Sequence, residues 1–99
     1  MSNLTVMKIL RERLTPLLPG AVFALDAPME DGLAWWLDIT YQGRCATILL
    51  RPWLTTRFGL YIPKPPEEIG YGELPDEHHE SLEQTVVRVV EVLKEVVIR

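Results

Sequence analysis

The chain has 99 residues, 47% hydrophobic and 24% charged, the balance of an ordinary globular protein with room for one core and not two. A pI near 5.1 and the lack of a Lys/Arg stripe argue against phosphate-driven nucleic-acid binding. A single cysteine, Cys45, excludes an internal disulfide and any multi-cysteine metal site.

No run approaches the ~18 apolar residues of a membrane span. The start "MSNLTVMKILRER" lacks the basic, apolar, small-residue order of a secretory signal, so a cytoplasmic protein is expected. Charge is uneven. Through Lys64 there are seven Lys/Arg and five Asp/Glu, a net of +2; from Pro65 on there are three and nine, a net of −6.

A first helix is predicted over Asn3 to Leu18. Val6, Leu10, Leu14 and Leu17 make its inward stripe, widened by Met7 and Ile9, and Ser2, Asn3 or Thr5 can cap it. Pro16 disfavours helical geometry at Thr15, which makes "TPLLPG" the exit. Residues 21–26, "AVFALD", read as a short strand with Phe23 and Leu25 on one side, followed by a turn at "APMEDG".

The clearest pattern is "GLAWWLDITYQGRCATILLRP", two extended runs flanking Gln42-Gly43, which suits a two-residue hairpin turn. That turn sets the register. Tyr41 opposes Arg44, Ile39 opposes Ala46, Leu37 opposes Ile48 and Trp35 opposes Leu50, all on one almost wholly apolar face. The other face carries Trp36 opposite Leu49, Asp38 opposite Thr47, and Thr40 opposite Cys45.

"RFGLYI" reads as a further strand with Phe58, Leu60 and Ile62 inward and Arg57, Gly59 and Tyr61 on the mixed face. Residues 63–75, with four prolines and two glycines, form an ordered loop pinned by Ile69, Tyr71 and Leu74. A second helix follows, capped by Asp76 or Ser81, with Leu82, Val86, Val89, Leu93 and Val96/Val97 inward. Ser81 with Gln84 makes a capping box. The valine-rich run "TVVRVVEVLKEVV" admits a long strand as rival, but the cap and the four-three spacing favour helix.

The chain therefore reads as one compact α+β domain over residues 1–99. A three- or four-stranded antiparallel meander packs in a two-layer sandwich, with an N-terminal and a C-terminal helix on the face of Trp35, Leu37 and Ile39. This order resembles the α-β-β-β-α connectivity of double-stranded-RNA-binding domains in topology alone, which transfers no function. Those domains place lysines where this chain has "DEHHESLEQ".

The segment "GYGELPDEHHE" lacks the third glycine and the Lys-Ser/Thr of a phosphate loop. Its glycines and proline are read as punctuation before the helix. His78 and His79, as helix neighbours, diverge by ~100° and do not easily hold one ion. A pair such as His79 with Glu83 at i,i+4 is geometrically possible but has no third ligand in the sequence, and no metal or other cofactor is expected. Cys45 has no base nearby, and the two serines sit at Ser2 and at a cap, so no catalytic constellation is expected.

What remains is the mixed face: Trp36, Leu49 and Tyr61, edged by Arg51 and Arg57. Aromatics and arginine are enriched at interface centres. Either the 63–75 loop covers this face or a partner does, a symmetric homodimer being the simplest case. The expected function is a non-enzymatic interaction or accessory module of bacterial type, an adaptor or an antitoxin- or immunity-like protein. The alternative is an anionic-ligand or enzymatic pocket under residues 63–80, built from Tyr71, Glu73, His78 or His79 with Arg51 or Arg57.

Overall fold

A hydroxyl starts the first helix. Ser2 Oγ accepts the Thr5 amide at 3.1 Å and opens α1 (Asn3–Leu14). These positions come from a computed structural model, which describes residues 2–30, 32–64 and 74–94. α1 stops short of the predicted Leu18. Leu17 and Leu18 both donate to the Leu14 carbonyl, and Gly20, at φ +83°, turns the chain out ahead of the sheet. That winding puts Leu18 in the core and leaves Leu17 exposed, the reverse of the expected stripe, because helical spacing no longer holds past Leu14.

Five antiparallel strands follow: β1 (Val22–Asp26), β2 (Trp35–Tyr41), β3 (Arg44–Leu50), β4 (Phe58–Tyr61) and β5 (Glu77–His79). They lie side by side in chain order, a simple meander. The β2–β3 register is the predicted one at every pair, from Tyr41–Arg44 to Trp35–Leu50. Gln42 and Gly43 at the turn have φ of 49° and 78°, the left-handed pair whose twist matches the flanking strands.

β5 has no strand pattern of its own in the sequence, which places residues 77–79 at the start of the second helix. Asp76 explains the difference. It does not cap that helix; its carboxylate accepts the Ile62 amide at 3.0 Å and pairs with Lys64 at 2.6 Å. This fixes the segment beside β4, and Glu77 to His79 complete the ladder.

Ser81 is the working cap. Its Oγ accepts the Gln84 amide at 3.1 Å, and α2 spans Leu82–Lys94. Helix is correct for this valine-rich run, since Thr85, Val86, Val89, Val92 and Leu93 are buried on one side. Each valine disfavours helix by under ~0.7 kcal/mol, while burying it contributes roughly 1.5–3 kcal/mol. Val96 and Val97 lie outside the described residues.

Both helices cover the same side of the sheet. Val6, Met7, Leu10 and Leu14 of α1 and Val86, Val89 and Leu93 of α2 form one core cluster with Trp35, Leu37, Ile39, Ile48, Phe58 and Leu60. This is the expected α+β two-layer arrangement. Outside the core, Arg13 donates through both terminal nitrogens to the Glu83 carboxylate, each at 2.6 Å, tying α1 to α2. Among the described residues, no helix is long and apolar enough to cross a membrane.

Candidate functional site

Strand alternation turns Trp36, Leu49, Gly59 and Tyr61 away from the helices, as the hairpin register requires. Trp36 on β2 and Tyr61 on β4 are separated by β3, yet their rings stack with centroids 5.8 Å apart and planes 25° from parallel. Two strand spacings amount to ~10 Å, so the rings lean toward each other over β3. Leu49 is on the strand between them and is only 6% exposed, although it stands apart from the helix-side cluster. Gly59 lies opposite Leu49 on β4, and the space over it is taken by Pro75. Trp36 itself stays 37% exposed. Beyond the stack the face becomes polar, with Thr47 Oγ1 donating to Asp38 at 2.6 Å and the Cys45 thiol exposed.

Toward β5 the same face is closed. Arg51, 8% exposed, donates Nη2 to the Thr56 carbonyl at 2.9 Å and meets His78 Nδ1 at 2.8 Å. A guanidinium only donates, so His78 Nδ1 accepts and the ring proton sits on Nε2. Pro75, buried, lies directly over Gly59. Arg57 is exposed, its guanidinium 5.2 Å from the centre of the Phe58 ring.

The structure thus brings Trp36, Leu49, Tyr61, Arg51 and His78 onto one face. It sends His79 to the other, because the two histidines alternate on a strand. There His79 Nε2 meets Glu77 at 3.1 Å, and Arg88 Nε donates to both Glu77 oxygens at 2.9 Å. The hydrogen bond from Arg88 is the chief reason that the Glu77 carboxyl is held below the usual carboxylate range. An open groove of about 410 Å³ runs along this side, lined by His79, Glu83, Gln84, Val87, Arg88 and Glu91. Among the described residues, no group of three His, Cys, Asp or Glu side chains could hold a metal ion. Tyr71 and Glu73, and with them the question whether residues 65–73 shield Trp36, lie outside the described residues.

One apolar part of the surface lies outside any periodic pattern in the sequence. The β1–β2 and β3–β4 connections leave the sheet at the same end, the end near Trp36. They carry Met29, fully exposed, Trp53, 58% exposed, and the exposed Leu33 and Leu54. The signal was "PWLTT", which has large apolar residues in a segment with no alternation to bury them. Comparison of the chain with protein-family models, curated proteins and solved structures returns no match.

Proposed function

We propose that the protein is a non-enzymatic interaction module, an accessory or adaptor protein of antitoxin- or immunity-like type, that engages a protein partner through the outer sheet face around Trp36. The observation that carries this reading is the Trp36–Tyr61 stack, a third of the tryptophan exposed over a buried leucine. Exposed Trp53, Leu54, Met29 and Leu33 at the same end enlarge the apolar surface. Such patches on a protein surface mark interaction sites, and tryptophan and tyrosine are over-represented among residues that dominate binding.

The anionic-pocket reading has less behind it. Arg51 directs its Nη2 to Thr56 and His78, and Pro75 fills the space above Gly59.

The test is affinity capture with the immobilised chain, wild type against Trp36→Asp and Trp53→Asp, each checked by circular dichroism. A partner retained by wild type and lost by the folded variants supports the face. Capture that is indifferent to both substitutions, or no partner at all, removes it.

A further inference from the structure

Among the described residues, β1 is an outer strand of the sheet and pairs only with β2. Which of its backbone groups stay open follows from the hairpin. A two-residue turn makes Tyr41–Arg44 a pair that exchanges both hydrogen bonds, so Tyr41, Ile39 and Leu37 aim their N–H and C=O at β3. Thr40, Asp38 and Trp36 aim theirs at Val22, Ala24 and Asp26 of β1. The same alternation runs on across the sheet: the Arg51 amide donates to the Arg57 carbonyl at 2.7 Å, and the Ile62 amide points the other way, to Asp76. Phe23 and Leu25 are left with their N–H and C=O groups directed off the edge.

We propose that this edge pairs with a second copy of the chain, β1 against β1, antiparallel about a two-fold axis at Ala24. The axis sets Phe23 of one copy opposite Leu25 of the other, twice, and every open group finds a mate. Ala24 faces Ala24 in the closer, non-hydrogen-bonded position, where a methyl fits.

Side chains agree with this register. Phe23 and Leu25 both lie on the helix side, opposite Ile39 and Leu37. The helices make their main sheet contacts with β2 to β5, which leaves Leu25 36% exposed at the rim of the core. Pairing therefore continues the core across the axis. Exposed Val22, on β1 itself, adds apolar area toward the ~1,600 Å² that a specific interface buries. Asp26, the one charge on β1, meets Val22 of the second copy, so no like charges oppose each other.

The opposite edge is guarded. β5 has three residues, only His78 aims its backbone outward, and Glu77 is engaged by Arg88 and His79. The seam rests on the outward backbone groups of β1 and the partner face on exposed rings, and either can fail without the other.

Light scattering with residue-resolved amide exchange tests the edge. Wild type is expected at twice the 11.4 kDa chain mass, with the Phe23 and Leu25 amides exchanging as slowly as that of Ala24. Leu25→Pro removes one outward donor and no β1–β2 bond, and Leu25→Lys puts a charge into the seam. Each is expected to halve the mass with an unchanged circular dichroism spectrum, while Trp53→Asp, in the β3–β4 connection, keeps the doubled mass. A monomeric wild type overturns the proposal. So does a dimer with fast exchange at Phe23 and Leu25, a dimer that survives Leu25→Lys, or one that Trp53→Asp dissociates.

Discussion

Pro75 occupies the place that a side chain on Gly59 would take: a Cβ there would lie 2.6 Å from Pro75 Cγ. The backbone of Gly59 is ordinary strand, so the glycine serves close approach and not an unusual φ. Gly59→Ala is therefore expected to cost about 1–3 kcal/mol in urea denaturation by overpacking. Pro75→Gly in the same chain should return part of that loss. A Gly59→Ala protein as stable as wild type would mean that Pro75 is not held there.

Arg51 is a buried charge, and its Nε has no hydrogen-bond partner among the described residues. Replacing it separates charge from volume. Arg51→Lys keeps a buried cation that cannot span Thr56 and His78, and should cost roughly 2–4 kcal/mol. Arg51→Met keeps the stem without the charge and should cost about 1–2 kcal/mol. The order of denaturation midpoints, Arg then Met then Lys, is the check.

Glu77 and Glu83 both have their pKa lowered, each chiefly by a hydrogen bond from an arginine, Arg88 and Arg13 respectively. A carboxylate with a depressed folded pKa adds stability above its unfolded value, about pH 4.3. That contribution fades as pH falls through the lower folded value. Glu77→Gln and Glu83→Gln should each flatten the acid limb of a stability–pH curve. The Glu83 pair is the more exposed, with side chains 44% and 66% accessible. Salt at ~1 M, where the screening length is ~3 Å, should therefore erase the effect of Glu83→Gln before that of Glu77→Gln.

Gln42 holds a left-handed φ of 49° beside Gly43. Asparagine tolerates that region better, and Asn-Gly is the preferred pair for this turn. Gln42→Asn is expected to raise stability by about 0.5 kcal/mol, and Gly43→Val to lower it by over ~1 kcal/mol, read from thermal midpoints. No change in either would contradict the turn type.

The parts legible in the sequence are those where a local rule leaves no freedom. Side-chain alternation about Gln42-Gly43 determined the whole β2–β3 register, and so the company of Trp36 with Leu49 and of Trp35 with Leu50. Periodicity and the Ser81 cap determined α2 against its own valines. What only the tertiary structure decided depends on groups meeting from distant positions. Asp76 could cap a helix or a strand end, and the Ile62 amide and Lys64 side chain, twelve or more residues away, chose the second, making β5 and splitting His78 from His79. Likewise no spacing rule joins Arg51 to His78 or leans Tyr61 over β3 onto Trp36. Local propensities are short-ranged along the chain, whereas hydrogen-bond partners and ring stacks are selected by proximity in space, which exists only once the sheet has formed.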